Sequence, residues 1–282
     1  MTTWKASMKD ARPSMKISQI YVYPIKSTAA VELQHSHVGP QGLDFDRRWA
    51  LIGNDGTLIT AREHPKLLKL TTKVVDLELH VFNEDEQQLA LPLHVGSDAP
   101  LVDVQVYDAT GTGVVAQSDI NNWFSSYLGL GCRLMFMNES STRPVLAEAG
   151  GSPGDTVSYA DECPLMMLSE ATLDALNQRL PEPMPMTQFR PNLVVNGCDA
   201  DAEDGWQRIR IGSCEYDMLH RVKRCVFATI DPESRQAHAH QEPLRTLSTY
   251  RRHEKGGVAF GRHLIARSFG NIRVGDEVEV LQ

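Results

Sequence analysis

The sequence predicts a β-rich, mixed α+β fold in two parts: a small barrel or sandwich, then a second β-structure with a few helices. Three observations carry that expectation. Short apolar runs of about five residues recur along the chain, separated by Gly-, Pro- and Asn-containing turns. Only two segments switch to a helical period. Strand–helix alternation of the dinucleotide-binding kind is missing. At 282 residues one core becomes hard to sustain, so one large or two smaller domains are expected.

Taken in order, residues 1–14 read as a loose polar tail. A first strand over 15–23 is stopped by Pro24, and Lys26-Ser27 follow in the loop. Gly39-Pro40-Gln41-Gly42 is a turn. Asp44-Phe45-Asp46-Arg47-Arg48 then leads into a strand over 49–52, which Asn54-Asp55-Gly56 turns back as 58–62. Further strands are expected over 70–75, 77–82 and 89–95, and 102–107 alternates strictly. The period changes at Ile120, Trp123, Phe124, Tyr127 and Leu128, one face of a helix capped by Ser118 or Asp119 and stopped by Gly129. Beyond it come strands over 133–137 and 165–168. A helix follows from Glu170 to about Leu180, capped by Ser169 and ended by Pro181. Strands over 193–195, 206–211, 215–219, 226–230 and 277–281 complete the chain.

Composition limits the function classes. A net charge of −8 argues against a nucleic-acid partner, which needs a basic footprint. No apolar h-region opens the chain and no 18-residue apolar run occurs, so no membrane association and a reducing, cytoplasmic setting are expected. The five cysteines include no C-x-x-C pair, which leaves zinc-ribbon, thioredoxin and iron–sulfur roles without their spacing. His35/His37 and His238/His240 lack a third ligand nearby and read as solvated. No P-loop motif occurs.

What stands out is Leu219-His220-Arg221-Val222-Lys223-Arg224-Cys225. Positive charge beside Cys225 favours a thiolate, which serves as a nucleophile or as a soft-metal ligand. The bland reading is a buried, inert cysteine opening a strand. Lys26, Arg47, Arg62, Arg190, Lys223 and Arg224 sit in loops or at strand ends, where they could jointly hold a phosphate.

At these residues the chain resembles a known family. Tyr23-Pro24-Ile25-Lys26-Ser27, Asp46-Arg47-Arg48-Trp49 and Thr60-Ala61-Arg62 resemble the N-terminal β-barrel that accompanies MOSC domains. Phe189-Arg190-Pro191-Asn192, Arg224-Cys225, Thr229-Ile230-Asp231-Pro232, Glu242-Pro243-Leu244, Phe260-Gly261 and Val274-Gly275-Asp276 resemble the MOSC β-barrel domain itself. The resemblance is to amidoxime-reducing components and their bacterial relatives. It implies an N-terminal MOSC domain over 15–130 and a MOSC domain over 131–282. It also implies a molybdenum cofactor whose metal takes Cys225 as a ligand, making Cys225 the catalytic position.

Further cofactor contacts implied are Lys26, Ser27, Arg47, Asp161, Glu162, Cys163, Arg190, Asn192, Lys223, Arg224 and His263. Lys223 and Glu162 depart from the family pattern, which expects small hydroxyl residues there, and His263 stands where a tyrosine is expected. The implied activity is reduction of N-hydroxylated compounds (hydroxylamines, amidoximes, N-hydroxylated bases). No cysteine follows Cys225 to ligate an iron–sulfur cluster, so electrons are expected from a separate flavoprotein, ferredoxin or cytochrome. The rival reading is a non-redox sulfur carrier with a Cys225 persulfide, since the family is also linked to sulfur delivery and to pyridoxal-phosphate enzymes that load the cofactor.

Overall fold

The computed structural model describes residues 14–94, 96 and 98–282. The expected tail, except Ser14, and Val95 at the end of one expected strand lie outside them. In the first half the strands are β1 (Lys16–Val22), β2 (Val31–Leu33), β3 (His35–Gly39), β4 (Gly42–Leu43), β5 (Trp49–Gly53) and β6 (Leu58–Ile59). They are followed by β7 (Thr71–Val75), β8 (Glu78–Phe82), β9 (Gln88–Pro92), β10 (Val102–Val106) and β11 (Ala109–Val115), then by helix α1 (Ser118–Leu128). The second half has β12 (Cys132–Phe136), β13 (Leu165–Ser169), α2 (Glu170–Asn177), β14 (Leu193–Asn196), β15 (Arg208–Ile211) and β16 (Cys214–Arg224). It ends with α3 (Leu244–Leu247), β17 (Val258–Ala266), β18 (Gly270–Arg273) and β19 (Val278–Val280). The β-rich, mixed α+β class holds.

The largest sheet runs β19-β15-β16-β17-β13-β14-β1-β2. Its central strand β13 is buried along its whole length. β13 pairs parallel with β14, and α2 is the crossover that a parallel pair requires. Ser169 caps α2 as expected, its side chain accepting from Thr172 N. A second sheet runs β10-β11-β12-β5-β6, with β7-β8-β9 as a separate meander. α1 buries Ile120, Phe124 and Tyr127 between them, in one core with Leu51, Leu79 and Leu134.

The border expected after residue 130 is not a border between sheets. β1 and β2, from the first half, hydrogen-bond onto β14 of the second. β12, from the second half, pairs with β5 and β11 of the first. β3 pairs with β18. The halves are stitched together by strand exchange.

Several local expectations differ. Residues 226–230 are a 3₁₀ turn over Val226–Thr229, not a strand. β16 instead runs on through the basic residues to Arg224, so Cys225 sits where the strand ends. α1 is capped by Gln117 without a side-chain bond, while Gly129 ends it in the left-handed conformation as expected. α2 stops at Asn177, three residues before the expected end. The returning strand of the first hairpin is only Leu58–Ile59, because a turn at Thr60–His64 carries Arg62 out of the sheet. His35 and His37 lie in β3, both on its exposed side.

Candidate functional site

One cleft of about 600 Å³ opens between the two halves, a size suited to an organic cofactor. Cys225 stands in its wall, exposed, at the point where β16 gives way to the 3₁₀ turn. The turn is held from behind by buried Gln188, whose Nε2 donates to the carbonyls of Ala228 (2.6 Å) and Ile230 (3.1 Å). Arg62 reaches across from the first half and donates from Nε to Cys225 Sγ at 3.4 Å. Its other nitrogens contact Tyr107 Oη and Asp161 Oδ2, the latter at 3.1 Å. One guanidinium thus joins the sulfur, an aromatic hydroxyl and a carboxylate.

Lys26 is buried and pairs with Asp161 while donating to the Tyr159 carbonyl at 2.8 Å. Burial pushes its pKa down to about 8, against the pull of Asp161. Burial disfavours the Asp161 carboxylate, but Lys26 and Arg62 outweigh it and hold that carboxyl well below the usual range. The loop bearing Asp161 and Glu162 is clamped by buried Arg143, which donates to the carbonyls of Ser158 (2.8 Å), Ala160 and Asp161 (2.6 Å).

Arg47 is ion-paired with Asp46 at 2.6 Å and also donates to the Arg190 carbonyl at 3.3 Å. Its guanidinium and that of Arg190 lie 4.2 and 4.0 Å from the centre of the Tyr23 ring. Ser27, Arg47 and Arg190 all have positive φ (74°, 48° and 54°), a backbone geometry uncommon for residues with side chains. Strained backbone of this kind is tolerated where the surrounding structure fixes it, as at a binding cleft.

Arg224 donates to the carbonyls of Phe260 (2.8 Å) and Phe189 (3.0 Å). Arg143, Arg190 and Arg224 belong to no ion pair among the described residues, and burial lowers each to about 10. All three remain charged at neutral pH, so the cleft wall carries positive charge on buried Arg143 and half-buried Arg190 and Arg224, none of it held in an ion pair among the described residues.

All twelve residues expected from the resemblance line this cleft. They do not all present polar atoms to it. Asn192 uses its amide as a brace, accepting from Met166 N (3.1 Å) and donating to the Tyr21 carbonyl (3.2 Å). Cys163 is buried, its thiol donating to the Ala149 carbonyl, and burial pushes its pKa up. Lys223 is exposed. Glu162 and His263 face each other and His220, at 3.1 Å (His220) and 3.6 Å (His263) from Glu162 Oε2.

Sequence reasoning missed Tyr107, Arg143 and Gln188. Tyr107 read as the end of an alternating strand, although it turns with φ of 53° at the β10–β11 corner. Arg143 lies in a stretch with no pattern, and its role appears only once the 158–161 loop folds around it.

Residues 14–130 match the MOSC N-terminal beta barrel domain, and residues 154–279 match the MOSC domain. The mouse protein called mitochondrial amidoxime-reducing component 1 is 32% identical over 94% of this chain and 82% of its own length. This chain belongs to the MOSC-domain family. The corresponding Xenopus laevis protein is 30% identical over 93% of this chain and 81% of its own. Human mitochondrial amidoxime reducing component 2 is 30% identical over 93% and 82%. Among the described residues, no helix of this MOSC protein is long and apolar enough to cross a membrane.

Proposed function

We propose that this MOSC protein is a molybdenum-cofactor oxidoreductase that reduces N-hydroxylated compounds with electrons from a separate redox protein. The observation that carries the reading is the charge state of the cleft. Buried Arg143 and half-buried Arg190 and Arg224 form no ion pair among the described residues, and a pterin phosphate would give them a directly paired anion. An exposed cysteine stands in the same wall, and thiolate is a ligand suited to a soft metal. The anions already in the cleft do not oppose this fit. Asp161 is paired with Lys26 and Arg62, and Glu162 is contacted by two histidines. The family's relatives, named for amidoxime reduction, point the same way.

On this reading Cys225 is the metal ligand, with Lys26, Ser27, Arg47, Arg190 and Arg224 forming the anchoring wall. Bound there, the cofactor would supply the two-electron chemistry that, with two protons, converts an N–OH group to N–H and water. Arg62 holds the Cys225 sulfur by an N–H donated to it, which fixes its direction. Tyr107, next to Arg62 and 44% exposed, offers a ring against which an apolar substrate group packs. The electron donor is a flavoprotein, ferredoxin or cytochrome docking at the open side of the cleft. The cytoplasmic setting remains part of this proposal, whereas the named relatives are mitochondrial.

Molybdenum content and pterin fluorescence after gentle purification, followed by hydroxylamine reduction under a strong reductant, test the reading. About one molybdenum per chain with turnover is expected. Protein reconstituted with cofactor yet inert toward hydroxylamines and amidoximes would overturn it.

A further inference from the structure

Glu162, His220 and His263 come from three different elements: the loop before β13, the middle of β16 and the middle of β17. One oxygen, Glu162 Oε2, lies 3.1 Å from His220 Nε2 and 3.6 Å from His263 Nε2. One ligand atom from each of the three falls within 4.8 Å of the others. Around a divalent ion with bonds of about 2.1 Å, neighbouring ligand atoms stand about 3.0–3.4 Å apart. The first spacing matches, and a small rotation of the half-exposed Glu162 side chain brings in the second.

The backbone beneath the cluster is held in place. β16 and β17 pair at Arg221 and Arg262, beside both histidines, and β13 pairs with β17 at Met166 and His263. The two imidazole rings are 5.0 Å apart at 61°, so they do not stack flat and can converge on one point. His263 is buried, and its Nδ1 has no hydrogen-bond partner among the described residues.

Burial favours the neutral, metal-ligating form of His263. The hydrogen bond with His220 and the nearby His263 ring favour the ionised form of Glu162. His220 and Glu162 remain partly open, with 27% and 51% of their side chains exposed, so water or a cleft ligand can complete the coordination.

We propose that Glu162, His220 and His263 form a binding site for a divalent transition ion such as Zn²⁺ or Co²⁺, with its open positions facing the cleft. Two imidazoles and one carboxylate suit such borderline ions, whereas Mg²⁺ and Ca²⁺ prefer all-oxygen sets. The nearby charges of Arg143 and Arg224 oppose a dication, so the site is an exchangeable one, with an open face able to take an anionic oxygen ligand. It does not depend on the molybdenum reading. His220 is five residues from Cys225 along β16, roughly 16 Å at strand spacing.

Chelator-treated protein titrated with Co²⁺ tests the site through the visible d–d absorption of the bound ion. One saturable equivalent is expected. Glu162→Gln and His220→Gln, both on the cleft wall, should each weaken binding by at least about tenfold. Cys225→Ser should leave it unchanged. Three results would overturn the proposal: no saturable uptake by the folded protein, equal affinity in the Glu162 and His220 variants, or loss of uptake in Cys225→Ser, which would assign the ion to the thiolate.

Discussion

Cys225 and Arg62 show how much a single residue can reveal in advance. The basic run before Cys225 marked the sulfur as a candidate ligand, and the structure leaves it exposed within reach of a guanidinium. Cys225→Ser should therefore keep the fold, because no core packing is lost, and should abolish molybdenum retention. Metal analysis together with circular dichroism checks both. Arg62→Lys keeps the charge but cannot reach sulfur, carboxylate and phenol together. Molybdenum content should persist while hydroxylamine turnover falls roughly tenfold or more, as steady-state kinetics would show.

Lys26 gives a pH prediction. Its folded pKa near 8 lies below the unfolded value of about 10.4. The folded protein therefore loses this proton first, and Lys26 adds stability as pH rises from 8 to about 10.4. Its charge disappears over the same rise, so loading of an anionic cofactor into the empty protein should weaken above pH 8. Lys26→Arg should move that fall to higher pH, as read from molybdenum uptake across a pH series.

At the scale of elements, legibility followed the burial pattern. β10 alternates and was found. β13 is apolar from Leu165 to Leu168 and was also found. β17 was not expected: it is buried almost throughout, yet Gly261, Arg262 and His263 interrupt its apolar run. The end of β16 was missed for a related reason: four of its last five residues carry charge or a titratable ring, all but Val222. Only pairing with β17 makes them strand. The cleft residues His220 and His263 meet through that pairing, and sequence spacing carried no trace of it.

Gly261 is itself informative. With φ of 83°, a Cβ there would lie 2.3 Å from Met166 Cε and 2.9 Å from the Met167 carbonyl. Gly261→Ala should cost about 2–4 kcal/mol from left-handed backbone strain and overpacking, lowering the melting temperature by roughly 5–10 °C. Arg143→Met removes the clamp on the 158–161 loop. Amide exchange there should accelerate while that of β13 stays slow, which exchange mass spectrometry resolves.

For the whole molecule, the two-part reading caught the family and the class but not the interleaving. The resemblance divided the chain by motif order, whereas the sheets divide it by pairing. β1 and β2 complete the second half's large sheet, and β12 completes the first half's. Residues 131–282 expressed alone should therefore expose the unpaired edge of β14 and fail to give a dispersed NMR spectrum. Residues 15–130 alone should fail likewise, lacking β12. In the full chain one cooperative thermal transition is expected, with probes placed in either half reporting the same midpoint.

The pairing of β1 with β14 also sets a timetable for birth on the ribosome. Gln19 meets Val194, so although β2 can pair with one side of β1 early, the other side waits for about 175 further residues before β14 exists. At about 5–20 residues per second that wait is on the order of ten seconds or longer, with one strand edge open. Holdase chaperones would engage the nascent amino-terminal segment during that interval, and slowing translation after β1 would lengthen its exposure.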